Sequence, residues 1–160
     1  MALHRSSLPI HKNTTDPIEN YLPNAISTAS AARLDLDGVG NTAKIIQFNA
    51  AYGSNTTSYT APYCLSYIFP DGTTHGYLPS IGELYIWADN VTAVRACFTA
   101  CGGDSITSGF TTSSTRSGNN SYDRTTCAMR WDTVEPYFNG SAGVSFIGNS
   151  MYFLPFGQYE

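Results

Sequence analysis

A chain of 160 residues is long enough for one domain with its own core, and needs neither disulfides nor a metal to hold it. Only 12% of the residues are charged and the net charge of -4 is spread along the chain, which excludes the basic footprint of a nucleic-acid or anionic-membrane binder. No run approaches the ~20 apolar residues of a membrane span, and Met1 to Pro9 carries no apolar stretch of signal-peptide length, so neither membrane anchoring nor export is expected from these residues.

Residues 1–33 read as an N-terminal arm. Pro9, Pro17 and Pro23 interrupt any helix, and polar residues separate the apolar ones, so the segment cannot build a core alone. It is ordered only by packing on its own domain, on a second copy or on a larger assembly; Ile10, Ile18, Tyr21, Leu22 and Ile26 supply the apolar residues for that. Assembly or oligomerisation is the expected use, and a disordered leader the alternative.

The domain proper spans 34–160. Asp35, Asp37 and Gly38 suggest a calcium loop, but the twelfth position, where an EF-hand needs a bidentate Glu, is Ile46. A turn leading into a strand at Lys44 to Phe48 is the stronger expectation, and no cofactor is assigned. A first helix is expected over Thr57 to Ile68, with Pro62 near its first turn. Ser80 followed by Glu83 makes a capping box that opens a second helix at Ile81 to Ala88, with Leu78 placed to staple onto Leu84. Asn90 caps a continuation to Ala100, stopped by Gly102-Gly103. Leu84, Trp87, Val91, Val94 and Cys97 fall three or four apart and form one buried stripe, which makes Trp87 a core residue.

From Asp104 to Thr126 about half the residues are Ser or Thr, a composition that builds no core. A strand is expected within Asp123 to Trp131, and two short ones within Gly143 to Phe156 around a turn at Gly148-Asn149. Eleven tyrosines with abundant Ser, Thr, Asn and Gly match the composition of binding surfaces, where Tyr supplies contact area at low entropic cost and small polar residues adapt. β-rich proteins favour Tyr and Thr as well.

The stretch Gly76-Tyr77-Leu78-Pro79-Ser80-Ile81-Gly82-Glu83-Leu84 resembles the segment that opens the second helix in bacterial and phage C-type-lectin-like domains. That class includes formylglycine-generating-enzyme-like folds and the variable proteins of diversity-generating retroelements. Ala61-Pro62-Tyr63-Cys64, Phe110-Thr111-Thr112-Ser113-Ser114-Thr115 and Tyr152-Phe153-Leu154-Pro155-Phe156 resemble further segments of the family. Phe110-Thr111 stands where the family carries an aromatic pair, and Leu154 where it carries arginine. The resemblance covers residues 34–160 and implies an α+β fold with two helices packed on small antiparallel sheets.

Cys64, Cys97, Cys101 and Cys127 allow three pairings if oxidised, and their spacing is not that of a zinc ribbon. Buried free thiols are the expected state, although Cys97 and Cys101 share a helix face in the manner of two ligands to a soft metal. His75, taken as the histidine inside the domain, falls in a solvated turn, and no Gly-x-Ser-x-Gly elbow positions a nucleophile, so an enzyme is not expected. The cysteine arrangement of formylglycine-generating enzymes is not matched.

A lectin-like scaffold presents its late loops and strands on one face, which makes the segment from 104 to 149 the expected ligand surface. Retroelement diversification yields the mixture of Asn, Ser, Thr, Asp, Tyr, Gly and Arg found there. Its candidate contact residues are Arg116, Asn119, Asn120, Tyr122, Arg124, Arg130, Trp131, Glu135, Tyr137 and Phe138, aromatic and Arg anchors among polar neighbours that suit a host-surface protein or a glycan. The resemblance therefore implies a non-catalytic receptor-binding protein: a phage tail-tip or fibre adhesin or a retroelement-diversified variable protein, located on the virion and multimeric in a tail assembly. A bacterial surface or fimbrial adhesin is the alternative, and a cysteine-dependent enzyme of formylglycine-generating type the third reading.

Overall fold

The computed structural model describes residues 1–12, 16–22, 29–105, 110–115, 125–130, 135–136, 144–146 and 150–158. Helices and strands are both present, an α+β arrangement. Short helix α1 (Ala29–Ala32) precedes α2 (Gly38–Ala51), α3 (Thr60–Ser66), α4 (Ile81–Ala88) and α5 (Val91–Ala100). Among the described residues no helix is long and apolar enough to cross a membrane.

Lys44 to Phe48, expected as a strand, lies inside α2. Asp37 is the N-cap: its carboxylate accepts from the Gly40 amide at 2.9 Å. Asn41, Thr42, Ile45, Phe48 and Asn49 then recur on one buried side at the 3.6-residue period. The β-branched pair Ile45-Ile46 was a local signal, and the cap together with this longer stripe overrides it. Gly38 is required at the first position, because a Cβ there would run into the Glu83 carboxylate and approach the Ser80 amide nitrogen to 2.8 Å.

Helix α3 is shorter than expected, since Tyr67 turns extended (φ -66°, ψ 131°) and ends it; Pro62 sits in the first turn, where no amide is needed. Helix α4 has the expected limits and both halves of its capping box. Leu78 and Leu84 are buried in different core clusters instead of stapling together. Asn90 occupies the N-cap of α5, but its side chain donates back to the Ile86 carbonyl at 3.0 Å and closes α4. Leu84, Trp87, Val91 and Val94 nevertheless pack in one cluster, as the stripe expects. Val91 and Val94 are half-buried, Phe98 supplies the buried anchor, and Cys97, expected inside, is exposed. Trp87 packs edge-on against Phe98 and Phe156, with ring centroids 5.6 and 5.8 Å away.

The main sheet runs β1 (Ser6–Leu8), β7 (Met151–Phe153), β3 (Phe110–Thr115), β4 (Thr125–Arg130), β5 (Glu135–Pro136), with β6 (Val144–Phe146) also pairing β4. All of these pairs are antiparallel except β3 with β7. A second antiparallel pair joins β2 (Gly76–Tyr77) to β8 (Phe156–Gly157). The two short strands expected near the C-terminus exist as β6 and β7 but take different partners; Gly148 and Asn149 lie outside the described residues.

Of the three partners open to residues 1–33, the described part takes its own domain. Strand β1 pairs with β7, the Ala2 amide donates to the Pro155 carbonyl at 2.8 Å, and Ala2, Ile10, Ile18 and Leu22 are core residues. Ile26 lies outside the described residues. His11 is fully buried against Phe48: one ring nitrogen meets Asn49 Oδ1 at 3.1 Å and the other Asp16 Oδ2 at 2.6 Å. Asn49 Nδ2 in turn donates to the Ile10 carbonyl at 3.0 Å, tying the N-terminal segment to α2.

Candidate functional site

The Ser/Thr-rich segment does contribute to the interior, contrary to its composition. Thr112, Ser113 and Ser114 of β3 are buried, and the β3–β4 register shifts between Thr111 and Thr115. Such an irregularity re-aims backbone and side chains. Here Ser114 Oγ donates to Asp35 Oδ2 at 2.5 Å and accepts from the Ile81 amide at 2.9 Å, while the Ser113 amide donates to the Pro79 carbonyl at 2.9 Å.

Asp35 joins the same cluster to α2 and α4. Its carboxylate accepts from Asn41 Nδ2 at 3.2 Å, and its carbonyl accepts from Ser80 Oγ at 2.6 Å and the Gly82 amide at 3.0 Å. The Glu83 carboxylate accepts from the Ser80 amide at 2.7 Å and Tyr77 OH at 3.4 Å, and also from the Gly38 amide. It thereby sits at the positive ends of two helices. Burial nevertheless outweighs these donors and raises the Glu83 pKa. Burial, with the neighbouring Glu83 charge, pushes Tyr77 up to about 12. Asp35 and Asp37, read from sequence as possible calcium ligands, are thus both engaged by protein donors. Among the described residues no group of three or more His, Cys, Asp or Glu is placed to hold a metal.

This buried polar frame fixes β3 beneath the starts of α2 and α4. On the other side of β3 lies β4, which carries β6 along Thr125 to Cys127 and β5 along Met129 to Arg130. Two candidate contact residues, Arg130 and Glu135, are opposite one another in the β4–β5 register. Arg116, Asn119, Asn120, Tyr122, Arg124, Trp131, Tyr137 and Phe138 lie outside the described residues, as does Cys127's side chain.

A separate concavity of about 330 Å³ opens between α2, α3 and β2, with Val39, Ile46, Leu65 and Tyr77 as its apolar lining and His75 and Gln158 at its polar edge. Ile46 and Leu65 also line the adjoining hollow beside Pro62. The groove is not legible in the sequence, because Ile45-Ile46 speaks for a strand and Leu65 reads as one more apolar residue of its helix. Helical phase places Leu65 one residue past buried Cys64, and it is exposed. His75 is exposed, as expected for its turn.

Cys64 is fully buried, and burial raises its thiol pKa well above the ordinary value, the reverse of an activated nucleophile. Cys97 and Cys101 are exposed free thiols, which corrects the expectation that they are buried. No protein-family model, curated protein or solved structure matches this chain.

Proposed function

We propose that this chain is a non-catalytic ligand-binding protein with a C-type-lectin-like domain, and that residues 104–149 form its contact surface. The observation that carries this reading is the frame of buried Asp35, Ser80 and Ser114 with half-buried Glu83. It locks the resemblance-bearing motif to β3, so the late strands depart from a fixed base while their sequence is free to vary. The buried, raised Cys64 thiol is unsuited to nucleophilic catalysis. Within this reading the protein is a phage tail-tip or fibre adhesin, or a retroelement-diversified variable protein, that engages a host-surface protein or glycan. Repetition in a tail assembly raises avidity without tight single-site affinity.

Comparing codons for residues 104–149 with those for 34–103 across related strains tests the diversified form of this proposal. Adenine-linked substitutions confined to the late segment, with Asp35, Ser80, Glu83 and Ser114 constant, are expected. Uniform substitution across both segments would count against it and leave a fixed adhesin.

A further inference from the structure

We propose that Cys97 and Cys101 form a dithiol chelate for a soft, thiophilic cation at the C-terminal end of α5. Cys97 lies in the last turn of α5 and Cys101 is its C-cap, whose amide donates to the Cys97 carbonyl at 2.9 Å; this i, i+4 bond keeps the two on one face, with Cβ atoms about 5–6 Å apart. Both are exposed and free.

A direct disulfide suits this geometry poorly, because it needs Cβ atoms about 3.5–4.5 Å apart and so an unwound last turn. A metal ion removes that demand: two metal–sulfur bonds of about 2.3 Å each can bridge sulfurs up to about 4.6 Å apart. The position also favours a cation. The C-terminal end of a helix carries partial negative charge, and the last turn of α5 has no basic residue to offset it.

Soft thiolate ligands select ions such as Cd(II), Zn(II) or Cu(I) over magnesium or calcium. Asp104, three residues on, is already engaged by His4 at 3.2 Å and the Arg5 amide at 2.8 Å. Among the described residues no third His, Cys, Asp or Glu joins the pair, so water or a small thiol completes the coordination. Binding breaks two S–H bonds and forms two S–metal bonds; both protons pass to solvent and no electron is transferred.

Cadmium titration of the reduced, oxygen-free full chain, followed by the ultraviolet thiolate-to-cadmium band, tests the proposal. Wild type should saturate at one cadmium per chain and release two protons per ion. Cys97→Ser and Cys101→Ser should each weaken binding at least about tenfold, with circular dichroism unchanged because both positions are exposed. Absence of a saturable band in wild type overturns the site, as does undiminished binding in either variant, which would place the ion elsewhere. Saturation at one cadmium per two chains overturns the single-chain chelate.

Discussion

Ser113 and Ser114 are neighbours on β3, both buried, yet their hydroxyls meet different surroundings. Ser114 Oγ bridges the Asp35 carboxylate and the Ile81 amide, whereas Ser113 Oγ has no hydrogen-bond partner among the described residues. Removing one member of a buried pair strands the others, at about 1–3 kcal/mol for each group left unsatisfied. Ser114→Ala should therefore lower unfolding free energy by about 2–4 kcal/mol. Ser113→Ala should not lower it, because no bond is lost and a buried hydroxyl without a partner is removed. Urea unfolding of the two variants would measure the contrast.

Glu83 and Asp104 make opposite contributions to pH dependence. Burial raises Glu83 in the folded state, so between its ordinary and folded values the native chain binds more protons than the unfolded one. The stability it contributes is complete below the ordinary value and is lost as pH rises through the folded one. Asp104 is lowered, chiefly by the Arg5 amide and then by His4, so its contribution is present above the ordinary value and lost as pH falls through the folded one. Glu83→Gln should flatten the decline on the upper side of the carboxylate range, and Asp104→Asn the decline on the lower side, in unfolding curves measured across acid pH.

At the scale of elements, legibility followed how many independent signals each segment carried. Helix α4 was readable to the residue because a cap, its reciprocal Glu and an apolar run agree within nine positions. Helix α2 was misread because Ile45-Ile46 speaks for a strand, while the signals for a helix, Asp37 and the stripe from Asn41 to Asn49, are spread over thirteen positions and use polar residues. Buried Asn41, Thr42 and Asn49 look like surface residues until their partners are known: the Asp35 carboxylate, the Gly38 carbonyl and the Ile10 carbonyl. The frame was half legible for the same reason. Ser80 and Glu83 are three residues apart, but Asp35 and Ser114 are 79 apart and meet only in the fold. Strand β4 was legible from its alternation and β3 only through the family resemblance; Arg130 and Glu135 are brought opposite each other as backbone partners.

For the molecule as a whole, the first 22 residues complete the core. Ile10, Ile18 and Leu22 pack with Ile45, Phe48, Leu78 and Phe153, and β1 covers the edge of β7. Fully burying each such apolar side chain is worth about 1.5–3 kcal/mol, so losing several together exceeds the usual stability of a domain once β1 and the His11 contacts go too. A chain beginning at residue 34 should lack cooperative thermal unfolding and bind hydrophobic dyes; a sharp, two-state transition in that truncation would show that the segment is dispensable.

Binding is proposed to reside in 104–149 outside the buried Thr112, Ser113 and Ser114, which belong with the frame that carries folding. The most direct measurement is attachment of the full chain to intact candidate host cells, compared between wild type and a Tyr122→Ala, Arg124→Ala, Tyr137→Ala triple variant. The triple variant should attach at least about tenfold more weakly, the scale of losing contact anchors, with a melting temperature unchanged within about 4 °C. Attachment equal to wild type by a variant that melts normally would contradict it.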